Sequence, residues 1–474
     1  MKKINKKFSY LAIFLTVIFF ILGVYLISQD STNTLTKKIK DNTPYQIKNF
    51  LKKTIFFIPI KNRENKKLKA ENEKLKKKNR KLHFESIKFK NKLDFEKANE
   101  KIINSKNFRY QLNEFILPFY SDDELFDNDK KGYLEIYNNK LLVFFGSGKS
   151  IIIDIDKLNN NIFEYRDIKN NIKSNKYFDT EIKWAGVKDI KVDNNNLYLS
   201  LTKALKKDCY TTSLLVSKID LDSFKFNEII FDNQCTNSLL GFSTFPSFKN
   251  FNGYQNGGRI VTDEKNIFLT IGDYNMWDQV QLNNSIFGKI IKIDKSSFKS
   301  KKISKGHRNQ QGMYNLDNSK IIVTEHGPKG GDEINLVNTN SSKILNYGWP
   351  ISSYGEHYDS VPLSKEVRKI APLNKNHKDF GFVEPLFYFK DSIGISEIIK
   401  NHFSEGNNFF ISSLKNKTIY NIEFDLNFEN PKITDEIIVG ERIRDIIYDK
   451  KNKRYFLYLE GTPKLSILQK LTVN

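Results

Sequence analysis

Cysteine is scarce in this sequence, with only Cys209 and Cys235 in 474 residues. Two thiols cannot build a disulfide framework, so the fold depends on an apolar core, which a chain of this length can bury. The segments TTSLLVSKI and FKFNEIIF between the cysteines are typical of a hairpin that turns near Asp222 and would bring both thiols together. The sequence therefore predicts a Cys209–Cys235 disulfide, with two buried free thiols as the alternative.

An even spread of charge is also missing. Residues 1–107 contain 27 Lys/Arg and 9 Asp/Glu, which leaves 77 − 27 = 50 basic and 55 − 9 = 46 acidic residues for 108–474. The net charge of +22 is thus concentrated in an N-terminal extension at +18, and the larger part of the chain is nearly neutral at +4. This distribution argues against a basic face for nucleic acid, and we predict no nucleic-acid partner.

No charged residue occurs from Phe8 to Gln29, directly after Lys2, Lys3, Lys6 and Lys7. The run is long enough to cross a bilayer, and the lysines favour a cytoplasmic N-terminus. Residues 1–30 are therefore predicted to be a signal anchor that crosses the inner (cytoplasmic) membrane once. A cleaved signal peptide is the alternative, although no Ala-x-Ala-like site is evident. Either interpretation places the rest of the chain in the periplasm or outside the cell.

Proline and glycine are absent between 62 and 105, where Lys, Glu and Asn dominate. Leu68, Leu75, Leu82 and Phe89 recur every seven residues. This spacing predicts a basic helical stalk over 31–107. The stalk is either a parallel coiled coil that makes the protein a dimer or a single solvated helix or spacer.

Helical periodicity nearly disappears after residue 108, where short apolar runs alternate with Asn/Asp/Lys/Gly turns. One unit, a polar turn followed by a short apolar strand, occurs six times: NNKLLVFFG (138–146), NNLYLSLT (195–202), KNIFLTIGD (265–273), SKIIVTEHG (319–327), NNFFISSLK (407–415) and KRYFLYLE (453–460). Six strand-turn-strand repeats predict an all-β fold, a six-bladed β-propeller over 108–474, preceded by the transmembrane helix and the stalk. Loops from several blades of a propeller can converge on one axial site.

The densest group of chemically able residues lies in 306–358. Arg308 can offer a bidentate fork to a planar anion. Free carbonyls around Gly327 and Pro328, together with Glu333, suit a hard cation such as Ca²⁺. A loop with this many polar and glycine residues carries more than a structural turn requires.

The order of motifs resembles the exported glucose/sorbosone dehydrogenase family, six-bladed propellers that use pyrroloquinoline quinone (PQQ) and Ca²⁺ to oxidise sugars. The matching segments cover roughly 240–460: GGRI (257–260), IGD (271–273), GKIIKID (288–294), GHRNQQG (306–312), EHGPKGGDEINL (325–336), NYGWP (346–350), SLK (413–415) and ERIRD (441–445).

The resemblance implies a role for particular positions. Arg308 and Asn309 match residues that contact PQQ, and Lys415, Arg442 and Arg444 match the cations that hold its carboxylates. For metals, the carbonyls of Gly327 and Pro328 match ligands of the Ca²⁺ that polarises the quinone, and Glu333 and Tyr347 match a second, structural Ca²⁺ site.

Two positions depart from the family pattern. Gln310 stands where the family usually has proline, which is expected to loosen a turn. Gln255 stands where the family has the histidine that accepts the sugar hydroxyl proton, and an amide cannot act as a general base.

The sequence thus leaves two functions open. The first is a membrane-anchored, exported PQQ-dependent dehydrogenase of an aldose or polyol that passes electrons to an external acceptor. The second is a non-catalytic propeller that binds sugar, quinone or a protein partner. The cofactor-site cations favour the first, and Gln255 favours the second.

Overall fold

The computed structural model describes residues 68, 71, 99–117, 130–159, 162–172, 186–206, 209–229, 234, 253–359 and 363–471. In chain order the strands are β1 (Asn99–Asn104), β2 (Arg109–Ile116), β3 (Gly132–Tyr137), β4 (Lys140–Phe145), β5 (Ser150–Asp154), β6 (Tyr165–Asn170), β7 (Gly186–Asp193), β8 (Asn196–Lys206), β9 (Cys209–Lys218), β10 (Ser223–Phe224), β11 (Asn227–Ile229), β12 (Gly257–Thr262), β13 (Asn266–Ile271), β14 (Lys289–Asp294), β15 (Ser300–Lys305), β16 (Gln310–Asp317), β17 (Lys320–Glu325), β18 (Asp332–Asn338), β19 (Leu345–Asn346), β20 (Phe387–Phe389), β21 (Ile395–Lys400), β22 (Asn407–Ser413), β23 (Thr418–Phe424), β24 (Lys432–Ile438), β25 (Ile443–Asp449), β26 (Arg454–Leu459) and β27 (Lys464–Leu471). The helices are α1 (Ile155–Asn159), α2 (Trp277–Val280), α3 (Lys365–Ile370) and a 3-10 helix (His377–Phe380).

Within these residues the strands form six sheets of four or five strands. Five of the sheets begin at an inner strand and proceed outward in chain order. Their neighbouring strands are antiparallel, except for the parallel outermost pairs β6–β10 and β15–β19. The six inner strands contact one another in the ring order β3, β7, β12, β16, β21, β25 and back to β3. This closed ring of sheets is a six-bladed β-propeller, so the predicted all-β fold is confirmed.

The second strand of every blade is one of the six repeated segments of the sequence. These strands are β4, β8, β13, β17, β22 and β26. In β13 the run from Ile267 to Ile271 is fully buried. Both faces of such a strand pack against neighbouring blades, which is why these segments are almost continuously apolar.

An apolar cluster lies between each pair of neighbouring blades. Leu142 of β4 and Leu199 of β8 share one cluster, and Val143 of β4 shares another with Phe456 of β26. Four further clusters join the remaining neighbours. The core is therefore a ring of six interfaces around a polar axis.

The last blade combines both ends of the propeller. Strand β2 pairs antiparallel with β27, with Arg109 opposite Leu471, and β1 pairs with β2 outside it. Strand β1 lies in the part of the chain that the sequence assigned to the stalk (31–107), so the predicted boundary at residue 108 is wrong by about one strand and a turn. The cause is that β1 is an exposed edge strand in which five of six residues face solvent, so that its polar residues resemble those of the stalk.

Contacts between Cα atoms divide the chain into the units 1–89 and 90–474. In the first unit only Leu68 and Glu71 are described, both helical. The predicted transmembrane segment and nearly all of the stalk therefore lie outside the described residues. Among the described residues, no helix has the length and apolar character that crossing a membrane requires.

The predicted hairpin between the cysteines is present. Strands β9 and β11 are antiparallel, with Asn227 opposite Val216. Cys209 is buried at the start of β9 and is not a free thiol. Cys235 lies outside the described residues, so its pairing with Cys209 stays a prediction.

Candidate functional site

The candidate site lies at one end of the propeller axis. Since inner and second strands are antiparallel, the start of each inner strand lies beside the end of the second strand of its blade. Most residues singled out from the sequence occupy these ends: Gln255 before β12, Arg308 and Asn309 before β16, Gly327 and Pro328 after β17, Lys415 after β22, and Arg442 and Arg444 at the start of β25. The architecture thus brings residues from four blades to the same end of the axis.

Gln255 is held by hydrogen bonds between an aspartate and an arginine. It is only 5% exposed and has a left-handed backbone, with φ of 56°. In the amide orientation that satisfies both neighbours, its nitrogen donates to Asp273 Oδ1 at 2.8 Å and its oxygen accepts from Arg308 Nη2 at 2.8 Å. The side chain is therefore oriented by two charged partners and can exchange hydrogen bonds, but not protons, with a ligand.

Asp273, the last residue of the IGD motif, is completely buried. Its carboxylate accepts hydrogen bonds from Trp349 Nε1 at 2.7 Å and from the backbone of Asn275 at 2.8 Å. Burial raises the pKa of Asp273 to about 7, against the opposing effect of Arg308. Nothing in the IGD motif itself indicates a role for this carboxylate.

Two glycines allow the backbone beside Gln255 to run against neighbouring chain segments. Gly257 and Gly258 have φ of 62° and 105°. A Cβ at Gly257 would lie 2.7 Å from the backbone nitrogen of Gly272, and one at Gly258 would lie 2.3 Å from the Cβ of Lys188. The turn is therefore closed to any larger residue.

Arg259 follows this turn and forms the hub of the axis. Its Nη1 lies 2.9–3.1 Å from carboxylate oxygens of Asp189, Glu397 and Asp445. Its Nη2 donates to the backbone oxygen of Arg444, its Nε donates to that of Gln311, and its guanidinium lies 5.2 Å from the ring centre of Tyr133. One side chain thus touches the inner strands of the five other blades.

Three carboxylates surround the single positive charge of Arg259. Burial raises the pKa of Asp189 to about 7 and that of Glu397 to about 8, while Arg259 acts in the opposite direction. Beyond this hub the inner strands line a cavity of about 240 Å³, which contains the ion pair of the partly exposed Lys191 and the buried Glu135 at 2.6 Å. Arg259 therefore lies between the candidate site and this polar cavity.

Arg308 and Asn309 connect the blades around the site. Arg308 donates to the Gly327 carbonyl at 2.6 Å and lies over the Trp349 ring at 5.2 Å. Asn309 Oδ1 accepts from the backbone nitrogen of Gly257 at 3.2 Å. Gln310, at the position where the family pattern has proline, points inward and is fully buried.

A cluster of cationic side chains lines another side of the candidate site. Glu460 at the end of β26 accepts from Arg442 Nη2 at 2.6 Å and from Arg444 Nε at 2.7 Å. Burial acts to raise the pKa of Glu460, but Arg444 and Arg442 lower it to about 2. Lys415 is exposed at the turn after β22. These cations give this end of the axis the positive charge expected of a site for an anionic ligand. Glu460 holds two of them, Arg442 and Arg444, in place.

The sequence alone does not indicate a role for two further residues of this region. Lys188 is 4% exposed beside Gly258, and burial, followed by Lys131 and Arg444, lowers its pKa well below the ordinary range. Glu460 follows an apolar strand and has no motif of its own. Neither could be found from sequence, because the role of Lys188 depends on contacts with other blades and that of Glu460 depends on its pairing with cations of the neighbouring strand.

The predicted ligands of the first Ca²⁺ are neutral oxygens. The Gly327 carbonyl accepts from Arg308, and the Pro328 carbonyl accepts from the Tyr358 hydroxyl at 2.8 Å. The Gly327 oxygen keeps a second lone pair, whereas the Pro328 oxygen also accepts from Ser392 Oγ at 3.3 Å. Carbonyl oxygen is a donor type that Ca²⁺ accepts, but the charge balance would have to come from the bound ligand. Across the described ranges, no group of three or more His, Cys, Asp or Glu side chains could hold a metal.

The predicted second metal position lies deeper, between blades three and four. Glu333 of β18 is 6% exposed and stands opposite Glu325 of β17. Burial and the nearby Glu325 raise the pKa of Glu333 well above its usual range. Tyr347 is also buried, and its ring stacks on His307 with centroids 4.6 Å apart. The two predicted ligands are thus in the same apolar and acidic region.

Comparison with known proteins gives one family match. Residues 138–466 match the model of the family described as glucose / sorbosone dehydrogenase. Among curated proteins, the chain is 29% identical over 250 residues to the aldose sugar dehydrogenase YliI of Escherichia coli, covering 47% of this chain and 62% of that protein. It is 26% identical over 214 residues to quinoprotein glucose dehydrogenase B of Acinetobacter calcoaceticus, covering 37% and 43%. The matches thus span less than two thirds of these relatives.

Solved structures share the fold. The soluble aldose sugar dehydrogenase of Escherichia coli in its apo form superposes with a TM-score of 0.57 at 19% identity, covering 76% of this chain and all of that one. The PQQ-bound aldose sugar dehydrogenase of Streptomyces coelicolor superposes with a TM-score of 0.50 at 15% identity, covering 76% and 98%.

Proposed function

Because this chain belongs to the glucose/sorbosone dehydrogenase family, we propose that it binds PQQ at the axial site and oxidises an aldose or similar polyol. The observation that carries the proposal is the wall of cations formed by Lys415, Arg442 and Arg444, which faces the same end of the axis as Arg308 and Asn309. Three cations suit a ligand with three carboxylates.

When bound, PQQ would supply a quinone that takes a hydride from the sugar carbon and later passes the two electrons to an external acceptor. The residues of the chain would bind and orient the cofactor. Lys415, Arg442 and Arg444 would hold carboxylates, and Arg308 and Asn309 would contact the ring system. Ca²⁺ at the carbonyls of Gly327 and Pro328 belongs to the same proposal.

The sugar hydroxyl must also lose a proton, and Gln255 cannot take it. A missing general base typically costs about 10²–10⁴ in rate. We therefore expect slow turnover.

A second candidate function follows from the clamp on Gln255. A side chain fixed between Asp273 and Arg308 has a defined hydrogen-bonding face but no proton acceptor of its own. This favours a propeller that binds sugar, quinone or a protein partner without turnover.

One experiment separates the two functions. The full-length chain, extracted in detergent, is titrated with PQQ and Ca²⁺ while quinone absorbance and heat are recorded, and dye reduction is then followed across a panel of sugars. Saturable PQQ binding with slow dye reduction supports the dehydrogenase. PQQ binding without dye reduction supports the binding protein, and no PQQ binding overturns the quinoprotein proposal.

The location of the protein is also proposed from the sequence. The apolar run after Lys7 would anchor the chain in the inner membrane, with the propeller in the periplasm or outside the cell and the stalk as a spacer or dimer contact. Protease treatment of spheroplasts would digest an exported propeller, whereas full protection would contradict export.

A further inference from the structure

His377 is buried beside the predicted second metal position without hydrogen bonds. It begins the 3-10 helix and is 1% exposed. Neither ring nitrogen has a hydrogen-bond partner, although the ring is held flat against Tyr354 with centroids 5.3 Å apart. Leaving polar atoms buried and unpaired costs several kcal/mol, so the position of this imidazole demands an explanation.

The separation of His377 from Glu333 provides one. The imidazole Nε2 lies 3.6 Å from Glu333 Oε1. This distance is too long for a hydrogen bond. Two donor atoms that share a tetrahedral divalent ion, each at about 2.1 Å, are about 3.4 Å apart. The gap therefore matches two ligands of one ion better than a direct contact.

Asn335 and Tyr347 offer oxygen atoms in the same region as His377 and Glu333. Asn335 is 1% exposed, its Oδ1 has no hydrogen-bond partner, and its Nδ2 contacts the carboxylate of Glu333. The backbones of Val383 and Tyr347 both face the His377 ring and act to raise its pKa, although neither meets hydrogen-bond geometry with a ring nitrogen. Two buried side chains with unsatisfied polar atoms, His377 and Asn335, thus lie beside the carboxylate of Glu333.

The local charge also calls for a cation. Glu325 and Glu384 both act electrostatically on Glu333 and on His377. Both are already bonded elsewhere: Glu325 accepts from Asn335 and the backbone of Arg308, and Glu384 accepts from the Tyr354 hydroxyl and the backbone of Lys378. They contribute negative charge to the position without serving as its ligands.

An imidazole nitrogen does not fit the Ca²⁺ that the family resemblance implies at this position. Ca²⁺ takes oxygen ligands, whereas imidazole suits transition-row ions such as Zn²⁺. We propose that His377 and Glu333, with oxygens from Asn335 and Tyr347, form a mixed nitrogen and oxygen site for a transition-row divalent cation, with Zn²⁺ as the best match. The ion would fasten the loop before β20 to β18, and the proposal is independent of PQQ binding and of turnover.

The test uses the full-length chain after EDTA treatment, with Co²⁺ as a coloured probe for Zn²⁺. We expect one Co²⁺ per chain with the intense visible bands of a low-symmetry site, displaced by Zn²⁺ and not by the same concentration of Ca²⁺. His377→Gln should weaken Co²⁺ binding by about 100-fold or more, and His402→Gln, which alters an imidazole on another blade, should leave it unchanged.

Three results would overturn the proposal. They are displacement of Co²⁺ by Ca²⁺, unchanged affinity in His377→Gln, and no bound ion in the wild type, which would leave His377 and Glu333 as a direct pair. If His377→Gln does not fold, zinc-edge X-ray absorption of the Zn²⁺-loaded wild type decides instead, since an imidazole ligand has a recognisable scattering pattern.

Discussion

The amide nitrogen of Gln255 lies 2.8 Å from the carboxylate oxygen Oδ1 of Asp273, and the amide oxygen accepts from Arg308. A side chain capable of proton transfer at position 255 would therefore already have a carboxylate to orient it.

Replacing Gln255 by histidine should increase dye reduction with PQQ and sugar by about 10²–10⁴, because an imidazole held by Asp273 can act as a general base. The left-handed backbone at this position tolerates histidine better than most residues. Gln255→Leu, which removes the amide without adding a base, is the matched control. Equal rates for the histidine variant and the wild type would mean that the substrate pocket has changed as well.

Removing the charge of Lys415 should weaken PQQ binding. A hydrogen bond to a charged group contributes about 1.5–3 kcal/mol, and solvent exposure of this lysine reduces the expected loss to about tenfold in Kd. Lys417→Gln, an equivalent change two residues along the same exposed turn, should bind PQQ normally. Calorimetric titration of the two variants measures the difference, and equal losses would argue against a specific role for Lys415.

Arg259→Met should destabilise the propeller by about 3–5 kcal/mol, because it leaves buried carboxylates of Asp189, Glu397 and Asp445 without their cation. Arg368→Met on the exposed face of α3 should cost less than about 0.5 kcal/mol. Urea unfolding followed by tryptophan fluorescence gives both values. A small effect at Arg259 would show that the carboxylates take up protons at little cost.

The stability contribution of Asp273 should depend on pH. Burial raises its pKa from 3.8 to about 7 in the folded protein, so the protonated form favours folding. This contribution is fully present below about pH 4 and is lost as the pH rises through about 7, a change on the order of 4 kcal/mol. In Asp273→Asn the free energy of unfolding should fall less over this range. Identical pH slopes in the two proteins would contradict the assignment.

The two cysteines should form one disulfide. A peptide map of the unreduced protein is expected to contain a linked pair of peptides with Cys209 and Cys235, because β9 and β11 form the hairpin that joins them. Cys209→Ser and Cys235→Ser should destabilise the protein to the same extent, by about 2–4 kcal/mol. Alkylation of both thiols in the unreduced protein would disprove the bridge.

The repeated apolar segments were enough to predict the blade count. Strands such as NIFLTI are buried on both faces, and a strand in that environment must be apolar along its whole length, which leaves a local record in the sequence. The edge strand β1 left no such record, because five of its six residues are exposed and its Asn, Glu and Lys resemble the composition of the stalk. Its pairing with β2 in the last blade is a long-range contact without a composition of its own.

The sequence by itself determined the fold, the family motifs and the identity of the cations, because each depends on residue type and on spacing along the chain. Only the tertiary structure decided how these residues are used. Arg259 looked like the first residue of a strand but forms the hub of the axis, and Glu460 looked like the end of a strand but holds Arg442 and Arg444. Asp273 supports Gln255, and His377 lies 3.6 Å from Glu333. The physical reason is that a charge acts through distance and burial, and both are set by how strands and blades pack, which the order of residues does not state.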